Sequence, residues 1–310
     1  MSAGHHHHHH DHGGSHDGHH TGSMNRAFAI GTVINLLFAA GEAAAGFITG
    51  SVALLADAGH NFADVLGLAL AWVAASFARS EPTARHSYGF KRGTILAALA
   101  NALVISATAG ALALESATRL FDPPPVRGMT VIAVAAIGVV INTGSALLFM
   151  SGRKHDLNVR AAFLHLAADA AISLAVVVAG FGMLQTGWYW LDPVVAIGVS
   201  AMIFLNSWSL LRQSLALSLD AAPDGIDPAT VRDWLAVQPG VNDVHHLHIW
   251  ALSTTETALT VHLVVKETTG SRDDLLARVG TGLREQFRIG HITVQIEDSC
   301  CPETGRQAAG

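Results

Sequence analysis

The chain has 310 residues, of which 50% are hydrophobic and only 14% are charged. Soluble globular proteins carry about 25% charged residues, so this composition predicts a protein that lies at least partly in a membrane. The net charge of −6 comes without a basic arm or an acidic tail, which leaves nucleic acid without support as a partner. The two cysteines, Cys300 and Cys301, are adjacent, so they cannot build a disulfide framework.

Residues 1–25 are predicted to form a disordered tail, because they are rich in His, Gly, Asp and Ser and have no apolar stripe. The tail lacks the basic start and the apolar core of a signal peptide. Its ten histidines are His5, His6, His7, His8, His9, His10, His12, His16, His19 and His20. Six consecutive histidines are typical of an expression tag, but the histidines continue through "DHGGSHDGHH", which favours a natural tail that gathers metal ions.

Six apolar stretches follow, and each approaches the ~20 residues that a membrane-spanning helix needs. They lie near residues 27–48, 53–77, 94–118, 129–150, 161–183 and 193–211. Lys and Arg are concentrated in the loops at 79–92 and 152–160, whereas the short loops after the first and fifth stretches have none. The positive-inside rule therefore places the basic loops and both termini in the cytoplasm. The sequence predicts a six-helix transmembrane domain over 26–218.

After residue 218 the pattern becomes that of a soluble domain. "IDPATVRDWLAVQ" predicts a short helix that begins at Asp227 and Pro228. Alternation in "VNDVHHLHIWALS", "ETALTVHLVVKE" and "HITVQIE" predicts three strands, and "SRDDLLARVGTGLREQF" predicts an amphipathic helix before the last strand. The order αββαβ over 219–300 predicts a small two-layer α+β domain, too small for a typical enzyme, followed by a disordered tail at 301–310.

Two of the predicted membrane helices carry polar side chains that lipid disfavours. "LADAGHNFAD" contains His60 and Asp64, and "AAFLHLAADA" contains His165 and Asp169. Residues four apart lie on one face of a helix, so each helix presents one imidazole and one carboxylate together. If these two helices pack against each other, the four side chains form a tetrahedral set that suits Zn²⁺. The cation would also neutralise the two carboxylates.

A single His–Asp pair is more typical of a hydrogen bond between helices, but two pairs with identical spacing favour a metal site. Three other polar residues lie on the same or a neighbouring helix. Asp57 either supports the site or packs the helices, and Asn61 is expected to support a ligand. Glu42 either lines an access path or bonds a neighbouring helix, and the sequence leaves both readings open.

Five segments of the chain form a recognisable set: "SVALLADAGHNFAD", "YGFKRGTILAALANA", "LNVRAAFLHLAADA", "WLDPVVAI" and "VHHLHIWALS". Together they resemble the cation diffusion facilitator family of metal/proton antiporters. The resemblance covers residues 26–298, and the paired HxxxD motifs are its most specific part. It implies six transmembrane helices, a cytoplasmic ferredoxin-like domain and a homodimer in the bacterial inner membrane. The implied activity is export of Zn²⁺, with Cd²⁺ and Co²⁺ as further substrates, in exchange for protons.

The resemblance also implies which residues bind metal. The positions that match the family's zinc-transport site are His60, Asp64, His165 and Asp169. Those that match its cytoplasmic zinc site are His245, His262 and Glu297, with His291, Cys300 and Cys301 close by in sequence. His86 falls where some members have an accessory metal site, Thr94 stands where many have glutamate, and a His-rich loop is reduced to His155. His246 and His248 are predicted to be strand-surface or packing residues.

Three classes of function remain to be compared. For an exporter, His and Asp must be deprotonated to bind metal, so Zn²⁺ and protons compete for one site. An intramembrane zinc hydrolase needs an open water position on the metal, but four ligands would close the site and the sequence has no HExxH motif. A membrane-bound metal sensor would bind zinc without moving it. The ligand pattern favours the exporter.

Deleting residues 1–23 tests the proposed role of the tail. We expect the deletion to raise the Zn²⁺ concentration needed for half-maximal transport, because a disordered histidine-rich segment increases the local metal concentration. The maximal rate should stay nearly unchanged, since the tail supplies no ligand to the transport site. Zinc uptake into inside-out vesicles over a range of concentrations measures both quantities. Complete loss of transport would show that the tail is part of the pathway.

Overall fold

The structure is a computed structural model, and it describes residues 18–150, 157–266 and 271–299. Six long helices come first: α1 (Gly18–Thr49), α2 (Val52–Ala78), α3 (Gly93–Phe121), α4 (Gly128–Phe149), α5 (Leu157–Thr186) and α6 (Leu191–Ser218). Several predicted metal-binding residues lie outside the described ranges, namely Cys300, Cys301, His155 and the tail histidines from His5 to His16. Of His19 and His20, only the backbone is described, as part of α1.

Each predicted membrane span corresponds to one of these helices. By length and composition, α2 to α6 can each cross a membrane, while the apolar segment of α1, Val33–Thr49, is shorter. The helix α1 begins at Gly18, earlier than predicted, and so overlaps the end of the predicted disordered tail. Prolines end α3, because Pro123 and the two prolines after it cannot continue a helix. The prediction of a helical membrane domain is confirmed.

The outer faces of the long helices carry large apolar side chains. Phe47 and Leu148 are both 77% exposed, and Val140 and Leu205 are 72% and 71% exposed. Single exposed apolar residues are common on soluble proteins, but so many large ones along a set of long helices are not. Such a surface is typical of helices whose outer faces contact lipid.

The described residues divide into two compact units. The described part of the first comprises residues 18–62, 124–150 and 157–192, and in it α4 packs along both α1 and α5. Gly128 on α4 and Gly180 on α5 allow a close approach, because a Cβ at Gly128 would lie 3.1 Å from the carbonyl oxygen of Gly180.

Asp192 fixes the start of α2 in this first unit. Its carboxylate accepts a hydrogen bond from the hydroxyl of Ser51 and another, at 2.7 Å, from the backbone N–H of Val52. Both donors lie at the N-terminus of α2. A carboxylate is stabilised at this end of a helix because it accepts hydrogen bonds from free N–H groups and faces the positive end of the helix dipole. All three groups are buried. The helix that carries His60 is therefore anchored at its beginning by a residue far away in sequence.

The described part of the second unit comprises residues 63–123, 193–266 and 271–299, and it contains the C-terminal domain. This domain consists of α7 (Pro228–Ala236), β1 (Val241–Ala251), β2 (Thr257–Val265), α8 (Arg272–Phe287) and β3 (His291–Glu297). The sheet order is β1-β2-β3, with β1 antiparallel and β3 parallel to β2. A parallel pair needs a crossover connection, which α8 provides. The predicted αββαβ order is confirmed.

Side-chain hydrogen bonds cap the N-termini of both helices of this domain. Asp227 accepts hydrogen bonds from the hydroxyl of Thr230 at 2.6 Å and from the backbone N–H of Ala229 and Thr230, both at 3.2 Å. These bonds, that of the Thr230 hydroxyl above all, hold the pKa of Asp227 below its usual value. Ser271, the predicted cap of α8, accepts from the N–H of Asp273.

The core of the C-terminal domain lies between the helices and one face of the sheet. It contains Val231 and Leu235 of α7, Val279 and Leu283 of α8, and alternate residues of β2 such as Leu263. Successive side chains of a strand point to opposite faces. His262, next to Leu263, therefore lies on the face of the sheet away from this core.

Gly282 on α8 lies against the indole ring of Trp234. A Cβ at Gly282 would lie 2.3 Å from Cζ2 and 2.4 Å from Cη2 of the ring, and the ring packs edge-on against Phe287. Gly282→Ala should lower the free energy of unfolding by roughly 1–3 kcal/mol through overpacking, measured by chemical denaturation of the 221–310 fragment.

Gly280→Ala is the matched control on the same helix. The nearest atom to a Cβ there is Nη1 of Arg284 at 3.5 Å, an ordinary contact. Alanine is favoured over glycine inside a helix by about 0.8–1.0 kcal/mol, so this variant should be more stable than the original chain. Equal stability of the Gly282→Ala and Gly280→Ala fragments would contradict the described packing of Trp234.

Candidate metal centres

One cluster of metal-ligating side chains lies among the membrane helices of the first unit. It consists of His60 on α2 with His165 and Asp169 on α5, and the ligand atoms all lie within 4.8 Å of one another. Nε2 of His60 is 3.3 Å from Oδ1 of Asp169, and Nε2 of His165 is 3.7 Å from Oδ2. Each oxygen of a single carboxylate therefore faces a different imidazole.

The burial of these side chains is graded. Asp169 is 2% exposed and His60 is 12% exposed, while His165 is 48% exposed. The two imidazole rings meet edge-on, with centroids 5.8 Å apart. The carboxylate is thus enclosed, while one imidazole remains accessible from outside the cluster.

Asp64 is the fourth residue of the predicted site. It lies on α2 one turn beyond His60, and residues four apart on a continuous helix share a face. Asp64 belongs to the second compact unit, whereas the other three belong to the first. Its place in the transport site remains a prediction from spacing and from the family resemblance.

Buried polar residues surround the membrane cluster. Asp57, fully buried, accepts a hydrogen bond at 3.0 Å from the hydroxyl of Ser173, which lies one turn beyond Asp169 on α5. Gly138 on α4 leaves room for that hydroxyl, because a Cβ there would lie 2.9 Å from Oγ of Ser173. Asn61 donates to the backbone carbonyl of Asp57 at 3.2 Å. Asp57 thus cross-links the two helices that carry the cluster.

Glu42 lies on α1 and is 1% exposed. Its side chain lies near those of Asp57 and Asn61 on α2, and both of its carboxyl oxygens are buried. It therefore belongs to the polar interior of the first unit. The two readings that the sequence left open for Glu42, lining an access path or bonding a neighbouring helix, both remain predictions.

A second cluster lies on the open face of the C-terminal sheet. His245 on β1 is opposite His262 on β2, and Glu297 ends β3. Nε2 of His245 is 3.1 Å from Oε2 of Glu297, and Nδ1 of His262 is 2.8 Å from Oε1. Zinc bonds of 2.0–2.2 Å in a tetrahedron place neighbouring ligand atoms about 3.3–3.6 Å apart. Two imidazoles and a carboxylate at these separations fit a Zn²⁺ ion after small adjustments.

Two other predicted candidates, His291 and His86, belong to neither cluster. His291 begins β3 opposite Ala258, whereas Glu297 ends the same strand opposite Val264, so about 20 Å of strand separates the two. The structure does not bring His291 to the cytoplasmic cluster, and its ring instead contacts Tyr88. His86 is exposed in the loop after α2 and packs on Phe90. Within the described ranges, the two clusters above are the groups positioned to hold a metal.

Fold and clusters together define a multi-pass membrane protein with two groups of side chains that could hold a metal ion, one among its helices and one on its C-terminal sheet. Sequence profiles agree with this class. The profile of the cation efflux transmembrane domain matches residues 28–217, and that of the cytoplasmic domain of cation efflux proteins matches residues 223–299. The chain belongs to the cation efflux family, the cation diffusion facilitators that its motifs resemble. It is therefore a membrane transporter.

Curated relatives match nearly the whole chain. The metal cation efflux system protein CzcD of Cupriavidus metallidurans is 33% identical over 94% of this chain and 92% of its own. The zinc transporter ZitB of Escherichia coli is 34% identical over 94% of this chain and 93% of its own. The cadmium, cobalt and zinc/H(+)-K(+) antiporter of Bacillus subtilis is 29% identical over 90% of this chain and 91% of its own.

Among solved structures, the metal-bound C-terminal domain of the same CzcD transporter is 36% identical. It covers 23% of this chain and 99% of its own, with a TM-score of 0.22. The fold of the C-terminal domain is defined here by its own strand order and pairing.

Replacing His245 and His262 together by alanine tests the second cluster. We expect the zinc affinity of the 221–310 fragment to fall by more than about tenfold, because two of the three ligands are removed. Loss of a residue that only supports a ligand already lowers metal affinity by about tenfold. Titration against a competing chelator measures the affinity. His291→Ala is the control and should bind as the original fragment does. Unchanged zinc stoichiometry in the double variant would contradict the assignment.

Proposed function

We propose that this transporter exports Zn²⁺ from the cytoplasm in exchange for protons. The observation that carries the proposal is the membrane cluster, in which both oxygens of the buried Asp169 face imidazoles of His60 and His165. Asp64 is the proposed fourth ligand. Efflux of divalent metal cations follows from the family. Beyond the family's activity, we propose that the ion is Zn²⁺, that it is exchanged for protons, and that the site opens alternately to the two sides of the membrane.

Ligand chemistry supports zinc as the ion. Imidazole and carboxylate groups both bind Zn²⁺ at about 2.0–2.2 Å, whereas harder ions such as Mg²⁺ prefer sites made of oxygen alone. The names of relatives agree, since one is a zinc transporter and another includes cadmium and cobalt with zinc. Cd²⁺ and Co²⁺ are therefore proposed as secondary substrates.

Competition between metal and proton supports the exchange. Zn²⁺ binds only deprotonated imidazole nitrogens and carboxylates. When the ion leaves and His60 takes up a proton, the resulting imidazolium can donate a hydrogen bond from Nε2 to Oδ1 of Asp169, 3.3 Å away, so that the buried carboxylate keeps a positive partner. The site then returns to the cytoplasmic face with protons in place of the metal. The name of the Bacillus subtilis relative includes H⁺ exchange.

Alternating access is proposed as the way in which the site changes sides. The cluster is formed between two helices, α2 and α5, rather than within one. Transporter sites of this kind lie near the bilayer midplane and open to either side when one group of helices rocks against another. We further propose a homodimer in a bacterial inner membrane, with both termini in the cytoplasm.

The cytoplasmic cluster is proposed to bind Zn²⁺ and regulate transport. His245 and His262 lie on β1 and β2, and the turn joining these strands contacts the start of α3. Nζ of Lys91 is 2.5 Å from Oε2 of Glu256, and the hydroxyl of Thr94 accepts from the N–H of Thr254 at 3.1 Å. A metal ion that links β1 and β2 through His245 and His262 would therefore restrict the movement of two strands whose connecting turn contacts the start of a membrane helix.

Alanine variants of the four proposed ligands test the transport site. His60→Ala, Asp64→Ala, His165→Ala and Asp169→Ala should each reduce zinc flux into proteoliposomes to background, because each removes a ligand of the ion. Insertion and dimer formation should be unaffected, as judged by size-exclusion chromatography. His86→Ala and Asp122→Ala are the matched controls, since both side chains are exposed outside the clusters, and they should transport normally. Wild-type flux in any two of the four variants would contradict the site.

A further inference from the structure

A bulge in β1 changes the direction of one histidine. Strand pairing joins His245 to His262, but the next pair is His248 with Thr260, so an extra residue of β1 is accommodated between them. Within this bulge, His246 has a φ of 50°, in the left-handed region that residues other than glycine rarely adopt. Bulges of this kind re-aim a side chain next to a functional site.

The bulge places three imidazoles on one side of the sheet. In a regular strand, His245 and His246 would point to opposite faces. Instead, the ring centroid of His246 is 5.3 Å from that of His245 and 5.0 Å from that of His262. These separations match the 5.3 Å between the rings of His245 and His262, both of which contact Glu297. His246 therefore lies beside the cytoplasmic cluster rather than across the sheet from it.

We propose that His246 is the fourth ligand of the cytoplasmic zinc site, which then consists of three imidazoles and one carboxylate. The inference rests on the proposed zinc binding at His245, His262 and Glu297. Structural zinc sites are almost always closed by four protein ligands, whereas three ligands leave a position for water. Because the His246 side chain is exposed, its ring can turn toward the ion without displacing core residues.

This ligand set also separates the two metal centres by function. A closed site holds its ion firmly, which suits regulation, while a transport site must release its ion to the other side. Four protein ligands on three strands would tie β1, β2 and β3 together through one ion. His246 is thus assigned a metal-binding role that alternation along the strand does not predict.

Histidine footprinting of the full chain tests the assignment residue by residue. Diethyl pyrocarbonate modifies accessible imidazole nitrogens, and tandem mass spectrometry of the peptides reports each histidine separately, so zinc bound elsewhere in the chain does not interfere. With Zn²⁺ alone as the probe, we expect slower modification of His245, His246 and His262. His248, an exposed histidine on the same strand, is the control and should react equally with and without zinc.

The outcomes distinguish this inference from the site on which it rests. Protection of His245 and His262 without protection of His246 would overturn the inference and leave a three-ligand site. If none of the three is protected, the cytoplasmic zinc site itself is absent, and the proposal of regulation by zinc fails with it.

A substitution provides a second, quantitative test. His246→Asn removes the imidazole but keeps a residue type that tolerates left-handed backbone. It should raise the Zn²⁺ concentration that protects His245 and His262 by about tenfold or more, while His248→Asn should leave that concentration unchanged. An unchanged concentration in folded His246→Asn protein would show that His246 does not bind the ion.

Discussion

The carboxylate of Asp169 is 2% exposed on a helix that is long and apolar enough to cross a membrane. An ionised side chain at the bilayer centre costs about 2.5–3.5 kcal/mol even on insertion scales, so this group needs either a positive partner or a proton of its own. Two imidazoles lie within reach of its two oxygens. Either a divalent cation or protons held by those imidazoles supplies the charge. In the proposed mechanism, this requirement alone links loss of the metal to gain of protons.

The remaining polar contacts of the first unit hold this arrangement in place. Asp192 anchors the start of α2, and the hydrogen bond from Ser173 to Asp57 joins α2 to α5 close to the cluster. Gly138 keeps the space that Ser173 occupies. Each of these groups is buried inside an otherwise apolar helix bundle, where an interaction with a buried partner is stronger than in water. The geometry of the site thus depends on helix contacts that involve no metal ligand.

Much of this organisation follows from periodicity and spacing. Apolar stretches of the right length predicted the membrane helices, and alternation predicted the strands, because both patterns are local. The repeated four-residue spacing of His and Asp pointed to the side chains that meet as His60, His165 and Asp169. The start of α1 was not predicted, since the residues before the apolar stretch carry no helix signal.

Features that depend on strand register were beyond the sequence. His291 was grouped with Glu297 because the two are close in sequence. They lie at opposite ends of β3, however, and the length of the strand keeps them apart. The sequence assigned His246 to the strand surface or to packing, and it is exposed on β1. Only the pairing of β1 with β2 reveals the bulge that brings its ring beside those of His245 and His262. Asp64 shares a helix face with His60, yet spacing along one helix does not determine which residues of other helices it meets.

Proton movement during zinc transport tests the central claim most directly. Purified protein in liposomes that contain a pH-sensitive dye is given Zn²⁺ outside, at equal internal and external pH and then with an imposed pH gradient. The account predicts that zinc entry is accompanied by proton exit, and that a more acidic interior accelerates zinc entry, because protons and Zn²⁺ occupy the same ligands in turn. Zinc entry at one rate under every gradient, without any change of internal pH, would contradict it.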